Sequence, residues 1–194
     1  MSAAPRYPAD FGHAGLRMTA ADFFTIGQTA ERLELVDGVV LMSPRPTPLH
    51  QTMLRLILRQ IETYLDEHEG AACFPEVDWE LRPDTVYSPD IACYAPGRLG
   101  AIPARLTAPP DLVIEILSPG TKAFDLTTKK DDYERCGVAE YWAIDGADAR
   151  ARCYQRQGPR LVETPGAGDH LDSGALPGFS LDLRPLRAAA ARGR

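Results

Sequence analysis

Residues 109–145, PPDLVIEILSPGTKAFDLTTKKDDYERCGVAEYWAID, decide the fold. They read as strand, loop, helix, strand. Leu112, Val113, Ile114, Ile116 and Leu117 form the short, nearly continuous apolar run of a strand buried on both faces, yet Glu115 interrupts it. An ionised carboxylate buried without a partner costs several kcal/mol or more, so either a cation lies against Glu115 or it faces a cleft. The next segment offers the cation. With Asp125 as N-cap and Gly137 as the left-handed stop, the helix places Leu126, Lys129, Tyr133 and Cys136 at i, i+3, i+7 and i+10. Lys129 therefore points at the sheet, while Lys130 and Glu134 pair at i, i+4 on the wet face.

A second acid comes from upstream. Residues 85–94, TVYSPDIACY, alternate as a strand with Asp90 near its centre. Two carboxylates and one lysine on successive elements of a sheet suit Mg²⁺, a hard ion that takes a few carboxylates and leaves room for water and a phosphate oxygen. The lysine could orient or deprotonate the attacking water, or stabilise charge developing on phosphate.

The order Pro89-Asp90, then Glu115, then a lysine resembles the PD-(D/E)XK nuclease superfamily. More closely, the chain resembles the Uma-type family, described as putative restriction endonucleases. The matching blocks run from about residue 19 to residue 183: Glu34-Leu35-Val36-Asp37-Gly38, Met42-Ser43-Pro44, His50, Pro89-Asp90, residues 115–119, Asp125 with Lys129 and Tyr133, residues 137–142, and Pro177-Gly178-Phe179. One departure from the superfamily pattern is Leu117, which stands where the lysine usually does. The Uma-type pattern moves that lysine to the following helix, where the helical stripe independently puts Lys129. A second departure is Ala123-Phe124, where relatives often carry a basic residue before an aromatic.

The resemblance implies a restriction-endonuclease-like α/β core, α-β-β-β-α-β, with a mixed sheet and helices packed on it. A β-hairpin precedes this core and extra C-terminal strands follow it. It also implies a metal-dependent endonuclease in which Asp90, Glu115 and the carbonyl of Ile116 hold Mg²⁺ or Mn²⁺ and Lys129 acts on the water. The substrate would be DNA, with RNA not excluded. Cutting both strands is most simply done by a homodimer. The contrasting expectation is a nuclease-like binding module that keeps the acids without the chemistry.

The 194-residue chain, 44% hydrophobic, is one domain's worth. Residues 1–18 read as a flexible tail, 19–186 as a single nuclease-like domain and 187–194 as a second flexible tail. Residues 19–26 open with a capping box, Thr19 to Asp22. Asp37-Gly38 between two apolar runs is a strong hairpin signal. Glu34 on that hairpin reads either as a solvated strand residue or, from the resemblance, as a supporting site residue. A long amphipathic helix spans about residues 49–69 and stops at Gly70. His50 in its first turn is either a packing or capping residue or a second supporting site residue. Residues 72–81 read as one strand whose Glu76, Asp78 and Glu80 form a wet face. Further strands fall at about residues 150–156, 161–163 and 179–183.

No stretch approaches the ~18 consecutive apolar residues of a membrane span, and the first residues lack a signal-peptide core, so no membrane partner and a cytoplasmic location are expected. Cys73, Cys93, Cys136 and Cys153 show no C-x-x-C pair and read as buried free thiols rather than a zinc site or disulfide framework. A net charge of −6 argues against a generic polyanion binder and predicts weak, salt-sensitive nucleic-acid binding.

Overall fold

The structure is a computed structural model and describes residues 12–27, 31–165 and 168–193. Local chemistry sets its first elements. Thr19 and Asp22 close the capping box of α1 (Ala20–Phe23). Strands β1 (Arg32–Val36) and β2 (Val39–Ser43) pair antiparallel with Val36 opposite Val39. Asp37 and Gly38 take φ of 47° and 77° between them, the two left-handed positions that a type I′ turn requires. Helix α2 (Pro48–Glu67) is capped by the Thr47 hydroxyl, which accepts from the His50 N–H, and carries Pro48 at its start.

Two segments expected to be single strands each divide, and the division creates the architecture. Residues 72–81 become β3 (Ala72–Pro75) and β4 (Trp79–Arg82). Pro75 ends the first, and Glu76 follows in the left-handed region at φ 51°, which turns the chain out of the first ladder. Residues 85–94 become β5 (Thr85–Tyr87) and β6 (Ile91–Tyr94). Pro89 has no N–H to give a ladder, so Asp90 sits at the junction rather than mid-strand. In both cases the halves join different sheets. One sheet has the order β2-β1-β5-β4. The other has β10-β9-β8-β7-β6-β3, built on β7 (Leu112–Leu117), β8 (Glu140–Asp145), β9 (Ala151–Gln157) and β10 (Arg160–Thr164).

Within the six-stranded sheet only β7 and β8 run parallel. Their crossover is helical: α3 (Lys122–Phe124), a π-helical turn at Asp125–Lys129, and α4 (Lys130–Cys136), closed by Gly137 at φ 94°. Asp125, expected as the N-cap, therefore lies inside the helix, one turn past its start. The order α2, β3, β6, β7, helix, β8 reproduces the expected α-β-β-β-α-β core. The β4–β5 pair is inserted into it and carries the N-terminal hairpin.

Side-chain alternation along β7 sorts the core into two layers. Leu112, Ile114 and Ile116 face α2 and pack with Met53, Ile57, Ile61 and Trp142. Val113 and Leu117 face the other way, with Tyr133, Tyr141 and Trp79. Glu115 belongs to this second face by period two, which is why the π-helical turn and α4 rather than α2 supply its side-chain partners.

The remaining elements are the ladder β11 (His170–Asp172) with β12 (Ser180–Asp182), then α5 (Arg184–Arg192). Residues 187–194 were expected to be a tail. Instead Leu186 and Ala190 of α5 are buried in the core that α2 lines. The other expected tail is shortened too: the Val40 N–H donates to the Leu16 carbonyl and the Met18 N–H to the Gly38 carbonyl, both at 2.9 Å. Its first eleven residues lie outside the described residues. Cys73 and Cys93, read as free thiols, face each other across the β3–β6 ladder and form a disulfide. Cys136 and Cys153 are free. Among the described residues no helix is long and apolar enough to cross a membrane.

Candidate active site

Asp90, Glu115 and Lys129 converge where β6 and β7 part. The ladder between these strands reaches Ile91 opposite Ile114. The next pair outward is Asp90 and Glu115, and here the Asp90 N–H donates to Glu115 Oε2 at 3.2 Å. The second Glu115 oxygen, Oε1, accepts from Lys129 Nζ at 3.2 Å and from the Tyr133 hydroxyl at 2.7 Å. Asp90 Oδ2 accepts from the Ile116 N–H at 2.7 Å and lies 3.1 Å from His50 Nε2, while Oδ1 accepts from Arg32 Nη2 at 3.1 Å. Asp90, Glu115 and Lys129 are all buried, and all line one cavity of about 430 Å³ together with Ile116, His50 and Glu34.

Glu34 is a site neighbour and not a solvated strand residue. It is 4% exposed, its Oε1 is 2.9 Å from Lys129 Nζ and accepts from the Ser88 N–H, and its Oε2 accepts from the Ser43 hydroxyl. His50 also combines two readings, since its N–H is the capping donor of α2 and its ring meets Asp90. A carboxylate only accepts, so Nε2 is the donor, and the buried Nδ1 has no partner among the described residues.

Two residues at the site were not expected there. Arg32 precedes Glu34 by two on β1, and that period was the available signal for a shared face. Asp125 precedes Lys129 by four, which puts both on one side of a helix. Its carboxylate is buried and lies 3.8 Å from Lys129 Nζ.

The electrostatics follow from this crowding. Four buried carboxylates, Glu34, Asp90, Glu115 and Asp125, face two fixed cations, Arg32 and Lys129. Burial pushes Glu115 up to about 7 despite Lys129, and burial likewise raises Asp125. Asp90 moves the other way: burial would raise it, but His50, the Ile116 N–H and Arg32 together hold it below the usual carboxylate range. Burial disfavours the charged form of Lys129, yet Glu115, Glu34 and Asp125 outweigh that and keep it an ammonium. His50 is raised as well, burial being overcome by Asp90.

This donor set fits a hard divalent cation. The cluster sets four carboxyl groups against two fixed cations, and Asp90 and Glu115, neighbours across the end of the β6–β7 ladder, line the same cavity. No group of three His, Cys, Asp or Glu side chains is arranged around a metal-sized point among the described residues. An ion here would be held by two carboxylates and a backbone carbonyl, with the rest of its shell open, as Mg²⁺ commonly is.

A mixed sheet with this connectivity, and with two acids and a lysine on successive elements around one cavity, defines a restriction-endonuclease-like core. The family model described as Uma2, "Putative restriction endonuclease", matches residues 20–184, and the chain belongs to that family. A crystal structure of a putative nuclease belonging to DUF820 from Anabaena variabilis is similar at 19% identity, with a TM-score of 0.76 over 89% of this chain and 99% of that one. Identity this low speaks for the shared fold. Among curated proteins no sequence matches.

Proposed function

We propose that the protein is a divalent-metal-dependent endonuclease that hydrolyses phosphodiester bonds in DNA. One observation carries the reading: Asp90, Glu115 and Lys129, which come from three separate elements, are linked through Glu115 in one cavity wall. A core built only for packing has no need of a second acid beside the Glu115–Lys129 pair.

Asp90 and Glu115 would hold the ion with the Ile116 carbonyl, and the ion is Mg²⁺, or Mn²⁺ by substitution. Bound there, it supplies charge neutralisation at the phosphate and a more acidic water. The protein's own groups divide the remaining work. Lys129, held among three carboxylates that favour its ammonium form, donates hydrogen bonds. Its role is to orient the attacking water and to stabilise charge building on the phosphate. Glu34 and Asp125 fix the ammonium in place, and Tyr133 fixes Glu115. A homodimer related by a two-fold axis would let two such cavities address both strands, and a cytoplasmic location would give access to DNA.

The contrasting reading, an inactive binding module, draws on a specific feature: Lys129, Asp90 and Glu115 are already satisfied by protein partners. The deciding experiment is cleavage of plasmid, linear, single-stranded and branched DNA and of RNA with Mg²⁺ or Mn²⁺, comparing the native chain with Lys129→Gln and Asp90→Asn. Metal-dependent cleavage lost in both variants supports the endonuclease and identifies its substrate. A folded native chain that neither cleaves any substrate nor binds Mn²⁺ calorimetrically returns the protein to the binding-module class.

A further inference from the structure

Arg32 is a site cation that the proposed chemistry leaves without a task, and its position is unusual. Its Nη2 donates to Asp90 Oδ1 at 3.1 Å and to the Ser88 carbonyl at 3.0 Å, and its Nη1 lies 3.3 Å from Glu76 Oε1. All three acceptors lie where the chain crosses between the two sheets, Glu76 on the β3–β4 crossing and Ser88 and Asp90 on the β5–β6 crossing. The guanidinium side chain keeps 23% of its surface exposed, against 5% for Asp90. It also borders two cavities, the site itself and a second one lined by Phe23, Phe24, Glu76 and Asp78. Arg32 thus covers Asp90 from the solvent side.

A guanidinium and a divalent ion compete for Asp90 Oδ1. Both seek the same lone pairs, and two cations at that separation repel strongly in a poorly screened cleft. Oδ2 is the more occupied oxygen, since it already accepts from the Ile116 N–H and meets His50. An ion that takes the more open oxygen, Oδ1, therefore works directly against the Arg32 contact. Once freed, the side chain stays tethered to β1 at the cavity edge. It presents a planar fork of donors, the geometry that binds a phosphate through two parallel hydrogen bonds.

We infer that Arg32 is a two-position residue: without metal it masks Asp90, and once displaced it holds the phosphate of the nucleic-acid strand being cut. The inference rests on the endonuclease reading and adds a residue and an order of events to it. Metal binding comes first and creates the phosphate site. Arg32 is a competitor of the metal in one state and a contact to substrate in the other.

Mn²⁺ calorimetry on the full chain without nucleic acid tests the masking. Arg32→Gln removes the competing cation and is expected to bind Mn²⁺ about tenfold more tightly than the native chain, the scale of one charge-assisted hydrogen bond. Arg32→Lys keeps a charge on Asp90 and is expected to stay near native affinity. Fluorescence anisotropy with a mixed-sequence 30-mer duplex, with Mn²⁺ and on a Lys129→Gln background, tests the second position. Both Arg32 variants are expected to bind duplex about tenfold more weakly, because neither offers the two-donor fork. Native Mn²⁺ affinity in a folded Arg32→Gln would overturn the masking, and native duplex affinity in Arg32→Lys would overturn the phosphate role. If Arg32→Gln does not fold, Arg32→Met, which keeps the apolar stem without the charge, carries the calorimetric test of masking, and Arg32→Lys still decides the phosphate role. Absence of Mn²⁺ binding in every form, the native chain included, would remove the endonuclease reading and this inference with it, a result distinct from equal, measurable affinities.

Discussion

At the scale of single residues, the chain places an ammonium where solvent cannot reach it and surrounds it with acids. Lys129 Nζ has Glu34 at 2.9 Å, Glu115 at 3.2 Å and Asp125 at 3.8 Å. Removing one partner from a buried ion network leaves uncompensated charge, so Lys129→Ala is expected to lose about 3–5 kcal/mol of stability, measured by urea unfolding. Glu115 sets the pH dependence of that loss. A carboxylate raised to about 7 in the folded state contributes stability below its unfolded value and loses it as pH rises through the folded value. Without Lys129 the folded value climbs further, so the variant's deficit should be larger at pH 8 than at pH 6. A deficit that does not change with pH would mean that Glu115 is not the group left stranded. Glu115 and Lys129 were legible in the sequence because each broke an apolar pattern. Asp125 and Arg32 broke none: an aspartate at a helix start reads as a cap, and an arginine on a hairpin strand reads as surface.

Elements show a different limit. The hairpin, α2 and the β7–helix–β8 unit follow from period and capping, since Asp-Gly, Thr47-Pro48 and Gly137 each dictate a backbone conformation locally. The breaks at Glu76 and Pro89 do not, because whether a strand continues or changes sheet depends on neighbours far along the chain. The π turn is also hidden, as positions i and i+4 share a face in either helix type. Gly137 offers a local test. It sits at φ 94° with Pro109 Cγ 3.9 Å from where a Cβ would stand, so Gly137→Ala meets no clash and pays only for the left-handed conformation. The expected loss is about 1 kcal/mol in the unfolding midpoint analysis.

A second test at this scale concerns how α4 is tied to the inserted strands. Asp132 is 1% exposed and accepts from the Tyr87 hydroxyl, from Arg82 and from Arg135. Burial would raise its pKa, but these three partners outweigh it and leave Asp132 below the usual value. A depressed carboxylate contributes stability above its unfolded value, about 4, that is lost as pH falls through the folded value. Asp132→Asn should therefore cost about 2 kcal/mol at pH 7 and flatten the acid limb of the stability curve below pH 4. Parallel acid limbs in the native and variant chains would exclude Asp132 as the titrating tie.

For the whole molecule the decisive fact is that the two large sheets are joined where the chain crosses between them, at residues 76–78 and 88–90, and Asp90 of the site sits in that junction. Composition does not reveal this: the net charge of −6 says little about where four carboxylates gather. The Cys73–Cys93 disulfide staples that junction, because it joins β3 to β6 and encloses β4 and β5 within a separation of 20 residues. Closing a loop of that length stabilises a fold by about 3 kcal/mol in the chain-entropy picture. The four cysteines gave no such indication in the sequence, since a cross-strand pair becomes visible only once β3 and β6 are known to be neighbours. A reducing cytoplasm would keep the two thiols apart, so the proposed location and the disulfide bear on each other. Urea unfolding with and without reductant, together with intact mass, measures the link. Loss of about 3 kcal/mol and a gain of two protons on reduction would make the junction, and the cavity that Asp90 and Glu115 line, sensitive to redox state. Equal stability in both forms would mean that packing around Ile91 and Leu112 holds the sheets together alone, and the staple would then be dispensable to a protein working among reduced thiols.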